Sequence, residues 1–283
     1  MRNYLLGSAI ALLLATDISI AQTYRSEISL DYLRRDREAL PDSESDTWRV
    51  SGTYYFSPVN TANHPLAEAA FLEKASNLSV SYLHEEWDYS DTYGSFRYET
   101  FVTEENLNAD IELFIPNKMF YVAAGMTRDE SKYRTTVFYM EDDLNPGVET
   151  DTETDSDNSW HGSLGVTPID GLLIWSDFYE DVDLDEHWNL NAKYVTDWNG
   201  NAINIEGGYN DYDGDYSIYV VSDYYLDRTF SVGAGVSYID AADSDNSYIL
   251  RTRKFFTDRF SIHANYISSD FIDTYNIGID VRF

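Results

Sequence analysis

The sequence predicts an all-β chain that folds into an antiparallel transmembrane β-barrel of about fourteen strands. Three observations point to this fold class. Alternating apolar and polar segments recur along the chain, the connections between them alternate in length, and aromatic residues stand at both ends of the apolar faces. A period of two with one apolar face is typical of half-buried strands. Twelve or sixteen strands would fit the same pattern if the boundaries of the weaker segments move.

The first 21 residues predict a secretory signal peptide. Arg2 supplies a short basic region, residues 4–20 are mostly apolar, and Ser19 and Ala21 occupy the small positions that precede a cleavage site. An uncleaved anchor helix is the alternative, but the apolar run is short for one. We therefore expect the barrel to occupy residues 22–283.

Fourteen alternating segments follow in this range. In the first, Ile28, Leu30 and Tyr32 face one side, while Glu27 and Asp31 face the other. The predicted strands cover residues 24–33, 47–56, 77–86, 96–115, 119–130, 158–167, 172–180, 187–198, 202–210, 216–226, 229–239, 248–257, 260–268 and 271–283.

The connections alternate between short turns and longer acidic loops, as in outer-membrane barrels. An even number of strands returns both termini to the short-turn side, the periplasm. One connection on that side is long: residues 57–76 predict a periplasmic connection with a short helix that begins at Pro65. On the opposite side, residues 129–158 predict an acidic extracellular loop region.

Paired aromatic residues separate a membrane barrel from a soluble β-sandwich, whose core has no reason to carry rings at both strand ends. The pairs lie eight residues apart, or ten in one strand, and eight residues of a tilted strand rise roughly 20 Å. That approaches the ~25 Å apolar band between two aromatic girdles. We expect a lipid-interface girdle, and lipid and lipopolysaccharide partners in a Gram-negative outer membrane. The predicted girdle is Tyr24, Tyr32, Trp48, Phe56, Trp188, Trp198, Phe230, Tyr238, Tyr248, Phe256, Tyr275 and Phe283.

The charge balance is strongly acidic, with 50 Asp and Glu against 19 Lys and Arg and a net charge of −31. This balance excludes nucleic acid as a partner, because phosphate binding needs the opposite charge. Without cysteine, the chain has neither disulfides nor thiolate metal sites. We predict no cofactor and no metal centre beyond weak Ca²⁺ or Mg²⁺ binding at acidic loops such as DYDGDYS at 211–217. The alternative for that motif is a solvated turn.

The face opposite the aromatic residues is polar and predicts the lining of a lumen. Unpaired charge is costly to bury, so these side chains need water or one another. A fourteen-stranded barrel is wide enough for water, and we interpret it as a pore for passive diffusion of ions and small hydrophilic solutes. A narrow or filled barrel that serves as a scaffold is the alternative. The predicted pore-lining residues are Arg25, Arg49, Asp110, Glu112, Asp177, Lys193, Glu206, Arg251, Arg253, Asp280 and Arg282.

The strand order suggests that the lumen charges are separated. The arginines fall on strands one, two, twelve and fourteen, and most of the acidic residues fall on strands four, seven and nine. Opposed basic and acidic walls would set an electric field across the channel.

An outer-membrane enzyme is the rival functional class. His161 and His263 face inward on strands that are not neighbours, and no serine lies in a G-x-S-x-G turn. We expect isolated lumen histidines, no catalytic residue and no enzymatic activity.

Two stretches resemble a known family. GTYYFSPVNTANHPLAEAAFLEKASNLSVSY at 52–82 and ADIELFIPNKMFYVAAGMTR at 109–128 are similar to the family of general bacterial porins, although His64 stands where that family usually has glycine. The resemblance implies an outer-membrane pore, either trimeric or monomeric, without catalytic residues. The terminal Phe283 is similar to the signal that the barrel-assembly machinery recognises.

Overall fold

The computed structural model describes residues 23–37, 44–93, 96–115, 119–140, 146–180, 187–240 and 244–283. The predicted signal peptide lies outside them. Among the described residues, no helix is long and apolar enough to cross a membrane. The strands are β1 (Thr23–Arg37), β2 (Glu44–Asn60), β3 (Asn77–Tyr93), β4 (Phe96–Ile115), β5 (Phe120–Met140), β6 (Pro146–Val166), β7 (Leu172–Tyr179), β8 (His187–Trp198), β9 (Asn201–Tyr212), β10 (Asp215–Asp227), β11 (Phe230–Asp240), β12 (Asp245–Thr257), β13 (Phe260–Ser268) and β14 (Ile272–Arg282).

The fourteen strands form one closed antiparallel barrel, which confirms the predicted fold class and strand number. Each strand pairs with its neighbour in sequence, and β14 returns to pair with β1. The closing ladder runs from Glu27 opposite Arg282 to Arg37 opposite Ile272. Closure pairs every strand edge, and a β-sheet that is surrounded by lipid must have no unpaired edge.

The burial pattern is the reverse of that of a soluble protein. Large apolar side chains such as Val236, Leu250 and Ile277 are exposed on the outer surface, whereas Asn204 and Ser261 are buried inside. An apolar exterior and a polar interior suit a barrel that is surrounded by lipid.

The barrel has two unlike ends. We call the end that carries Thr23 and Phe283 the lower mouth and the opposite end the upper mouth. The strands β3 to β6 are 17 to 21 residues long and project from the upper mouth, while β7 to β14 have 8 to 13 residues.

The prediction of an acidic loop region at 129–158 is wrong for most of that range. β5 and β6 stay paired from Phe120 opposite Val166 to Met140 opposite Pro146, so the acidic residues lie on an extended hairpin. Threonine, valine and tyrosine alternate with the charges and favour strand geometry. Beyond the membrane both faces meet water, so the charges do not oppose strand formation.

The DYDGDYS motif forms a tight turn. β9 ends at Tyr212 and β10 starts at Asp215, and the two residues between them, Asp213 and Gly214, have φ values of 47° and 92°. Positive φ at both central residues is typical of a type I′ hairpin. The geometry favours the solvated-turn interpretation.

A β-bulge corrects the prediction for Tyr24. The amides of Arg25 and Ser26 both donate to the carbonyl of Phe283, at 2.6 and 3.2 Å. Two residues that face a single residue on the neighbouring strand form a β-bulge. The bulge reverses the alternation, so side chains on its two sides that would share a face point to opposite faces. Tyr24 is therefore 4% exposed inside the barrel, where its ring packs edge-on against Tyr55, and it is not part of the girdle.

Candidate functional site

The connection between β2 and β3 folds into the barrel and lies across the lower mouth. We call residues 61–76 the plug segment. It contains a 3₁₀ turn at Leu66–Glu68 that continues into the short helix α1 at Ala69–Leu72. The sequence analysis predicted the helix here, but not that the segment folds into the barrel. The amide of Leu66 donates to the carbonyl of Arg228, 2.8 Å away, at the turn between β10 and β11.

An apolar cluster holds the plug segment against the wall. Ala69 and Ala75 of the segment pack with Tyr24, Tyr55 and Val59 of β1 and β2. These five side chains are almost fully removed from water. Their burial favours the inserted position of the segment over a position in the periplasm.

An alternating chain of charges joins the plug segment to the opposite wall. The carboxylate of Glu68 lies 2.8 Å from Lys193, and Lys193 lies 3.3 Å from Glu206. Arg251 lies 3.3 Å from Glu206 and donates to Asp223 at 2.6 Å. Lys193 and Arg251 each contact two carboxylates, so every charge in this cluster has a partner of opposite sign.

The same cluster contains three carboxylates at a spacing that a cation could bridge. Oxygens of Glu68, Glu206 and Asp223 lie within 4.8 Å of one another. Lys193 and Arg251 already occupy the space between them as ion-pair partners. The arrangement is therefore an ion-pair network, not a candidate metal centre.

Arg282 fastens the plug segment to the closing seam. Its guanidinium pairs with Glu27, donates to the carbonyl of Leu66 at 2.8 Å, and stacks 4.5 Å from the ring centres of both Tyr24 and Phe255. Arg282 faces inward as predicted. Only 3% of it is exposed, because the plug segment covers it, so its predicted contact with pore water is wrong.

His263 is not an isolated lumen histidine, contrary to the prediction. Its Nε2 lies 2.7 Å from Asp31 and its Nδ1 lies 3.2 Å from Asp280. Asp280 also accepts hydrogen bonds from Ser29 at 2.6 Å and Ser261 at 2.5 Å, and it is buried like Arg282. Both ring nitrogens face carboxylates, so His263 has no free nitrogen to activate either hydroxyl.

The wall formed by β4 to β7 carries three carboxylates that pair with no Lys or Arg among the described residues. Asp110 lies 2.6 Å from His161, and Glu112 accepts a hydrogen bond from Asn77 at 3.2 Å. Asp177 accepts from a serine hydroxyl and an asparagine amide. In the described part of the chain, no Lys or Arg nitrogen lies within 4.0 Å of these three carboxylates.

The predicted basic wall is not separate from acidic residues. Arg251, Arg253 and Arg282 each face an acidic side chain within 4.0 Å. Arg25 is exposed at the bulge, and Arg49 lines an open part of the lumen of about 600 Å³ beside β3 to β6. The strand stagger thus brings three of the five predicted arginines close to acidic side chains, whereas Asp110, Glu112 and Asp177 face no Lys or Arg among the described residues.

The hairpin above the upper mouth extends the acidic surface. Along β6, five acidic residues recur at every second position on the same face as His161. Neighbours on one face of a strand are about 7 Å apart. We call this row the acidic ladder, and all of its members are exposed: Glu149, Asp151, Glu153, Asp155 and Asp157.

A packed group near the upper mouth was missed by the sequence analysis. Both carboxylate oxygens of Glu85 accept from Arg35 at 2.6 Å, and Arg37 stacks 5.0 Å from the ring centre of Trp87. The predicted first and third strands, 24–33 and 77–86, included Glu85 but ended before Arg35, Arg37 and Trp87. Residues 34–37 are all charged and gave no signal of a continuing strand, whereas Trp87 and Tyr89 alternate with Asp88 and Ser90 beyond the predicted end of the third strand.

Most of the remaining predicted girdle residues lie on the outer surface. Tyr32 packs 4.8 Å from Trp48, and Phe230 lies beneath Lys254; with Tyr238 and Phe283 they are half-exposed. Seven others are 43–66% exposed: Trp48, Phe56, Trp188, Trp198, Tyr248, Phe256 and Tyr275.

The solved structures that share this fold include one protein from Acinetobacter baumannii and one from Pseudomonas aeruginosa. The outer membrane protein Omp33 of Acinetobacter baumannii is 20% identical with a TM-score of 0.62, and the match covers 93% of this chain and 99% of that one. A FadL homologue of Pseudomonas aeruginosa is 9% identical with a TM-score of 0.57, covering 92% and 90%. None of the curated proteins matches the sequence.

The resemblance of residues 52–82 and 109–128 agrees with a match to the whole chain. A closed fourteen-stranded barrel with a polar interior is the architecture that this resemblance implied. The chain belongs to the family described as "Putative general bacterial porin", whose model matches residues 1–283.

Proposed function

We propose that this porin lets small hydrophilic cations diffuse across the outer membrane in preference to anions, and that the plug segment restricts the flow. Solute diffusion through a barrel channel follows from the family; the cation preference and the restriction are the proposal. Tight turns face the periplasm in such barrels. The lower mouth carries tight turns such as Asn199–Gly200, so we place it in the periplasm and the tall hairpin at the cell surface.

The single observation that carries the cation preference is the set of unneutralised carboxylates. The acidic ladder leads from the upper mouth towards Asp110, Glu112 and Asp177, and no Lys or Arg among the described residues pairs with any of them. Charge of one sign along a narrow passage with low-dielectric walls concentrates counter-ions. Cations are therefore enriched along this side of the lumen.

The restriction rests on the position of the plug segment. The carboxylate of Glu68 pairs with Lys193 of β8, and the carbonyl of Leu66 accepts a hydrogen bond from Arg282 of β14, so the segment is bound on two sides of the lower mouth. Solutes must pass beside the segment or wait until it moves. We expect a small conductance for a barrel of fourteen strands.

We extend the proposal to partners and setting. The apolar belt and its aromatic residues suit the outer membrane of a Gram-negative bacterium, with lipopolysaccharide outside. Phe283 ends the closing strand, where the barrel-assembly machinery would bind it. A monomer and a trimer both fit one closed barrel. The channel has no enzymatic role, and divalent cations bind the acidic ladder only weakly.

Single-channel recording in a planar bilayer with a salt gradient tests the proposed function. We expect a reversal potential of the sign for cation selectivity. A triple variant with Asp151→Asn, Glu153→Gln and Asp155→Asn should have a smaller reversal potential. As a matched control, Glu99, Glu105 and Glu130 are changed to Gln. These residues share the outer face with Tyr82, so the reversal potential should stay unchanged. Anion selectivity, or no conductance at all, would contradict the proposal.

A further inference from the structure

A cavity lies directly above the plug segment. It has a volume of about 290 Å³, with Ala67 and Glu68 at its floor and side chains of β8 to β13 around it. Small-molecule sites start at ~300 Å³, so the space suits one small solute. A solute that enters from the upper mouth reaches this cavity before it meets the plug segment.

One cation in this cavity lacks close partners. The side chain of Arg253 has a single ionic contact, to Asp280 at 3.8 Å, and it makes no hydrogen bond to any described residue. By contrast, Arg251 and Arg282 each donate to two acceptors. Arg253 is one-third exposed and lines the cavity, so most of its five donors are available to a ligand.

The acidic neighbour of Arg253 does not compete for these donors. The Asp280 carboxylate already accepts hydrogen bonds from Ser29 and Ser261 and contacts His263. A guanidinium with free donors binds a carboxylate through two parallel hydrogen bonds. Arg253 therefore has the donors and the position to bind a carboxylate in the cavity.

The surroundings select against simple anions. Three carboxylates line the same cavity, Glu68, Glu206 and Asp223, and the acidic ladder stands above it. In a solute that carries both an ammonium group and a carboxylate, the acidic side chains attract the ammonium group and Arg253 binds the carboxylate. We propose that this cavity binds free amino acids, those with a cationic side chain above all, with the carboxylate on Arg253; the route to the cavity rests on the proposed cation preference.

Lysine and cadaverine give a matched pair of probes, since cadaverine is lysine without its carboxylate. We expect calorimetric titration of the detergent-solubilised protein to show lysine binding at least about tenfold more tightly, as charge-assisted hydrogen bonds predict. Arg253→Gln should remove this preference. Arg49→Gln, which removes a lumen arginine outside the cavity, should retain it.

Equal affinities for lysine and cadaverine would overturn the proposal, and so would an unchanged preference in Arg253→Gln. If that variant does not fold, Arg253→Lys keeps the charge and loses the paired donors, and its preference should fall. Calorimetry needs no ion flow. If the protein binds lysine selectively but is not cation-selective in a bilayer, the proposed function is refuted and the binding site is supported. If the protein is cation-selective but binds lysine and cadaverine equally, the binding site alone is refuted.

Discussion

Glu68 and Lys193 meet inside the barrel, where the carboxylate and the ammonium group lie 2.8 Å apart. Glu68 belongs to the plug segment and Lys193 to β8, so this pair connects the two sides of the lower mouth. Lys193 also stacks 4.9 Å from the ring centre of Phe71, one turn further along the segment. The pair is the contact whose loss should most directly free the segment.

Glu68→Gln should raise the single-channel conductance and add open-state fluctuations, because Lys193 loses its closest opposite charge while the side-chain shape is kept. The control is Asp170→Asn. Asp170 is a fully exposed partner of Lys74 in the same segment, 3.8 Å away, and exposed pairs contribute little. Equal conductance in Glu68→Gln and the native protein would show that this pair does not hold the plug segment.

Arg282→Met should destabilise the barrel by about 3–5 kcal/mol, since it leaves Glu27 without its cation in a largely buried site. Unfolding by urea in detergent measures the loss. Arg25→Met, at the bulge opposite Phe283 on the same seam, removes an exposed arginine and should change the free energy of unfolding little. If both variants lose the same stability, the burial of Arg282 is not the cause.

Gly278→Ala should also destabilise the barrel, by about 1–3 kcal/mol. A methyl group there would lie 2.4 Å from His263 and 2.5 Å from Asp31, between two groups that contact each other. Gly52→Ala is the control, because its methyl group meets no atom within 4 Å. Thermal unfolding of the two variants compares them, and a normal melting temperature for Gly278→Ala would be inconsistent with the packing of His263.

The cation preference should decrease as salt increases. The acidic ladder is exposed, and the screening length falls from ~30 Å at 0.01 M salt to ~3 Å at 1 M. Reversal potentials measured with the same concentration ratio at low and high mean salt test this. A preference that is independent of salt would assign selectivity to Asp110, Glu112 and Asp177 inside the barrel and not to the exposed acidic ladder.

The alternation of side chains determined a great deal of this structure. It predicted the strand number, the pairing of each strand with the next, and the inward face of residues such as Asp110 and Glu206, because the two faces of a strand follow from a local period of two. Pro65 in the long connection at 57–76 predicted the short helix that follows it. The bulge at Arg25 and Ser26 broke the rule at Tyr24, since an extra residue changes the period.

Only the tertiary structure decided which groups meet. Arg251 of β12 reaches Glu206 of β9 across two intervening strands, and the plug segment folds inward to meet Lys193 and Arg282. These contacts depend on strand stagger, tilt and the path of one connection, which are long-range quantities that no local period contains. The sequence by itself determined a barrel with a polar interior. The folded chain determined that Arg251 and Arg282 are paired with acidic side chains, that Asp110, Glu112 and Asp177 face no Lys or Arg among the described residues, and that the plug segment lies across the lower mouth.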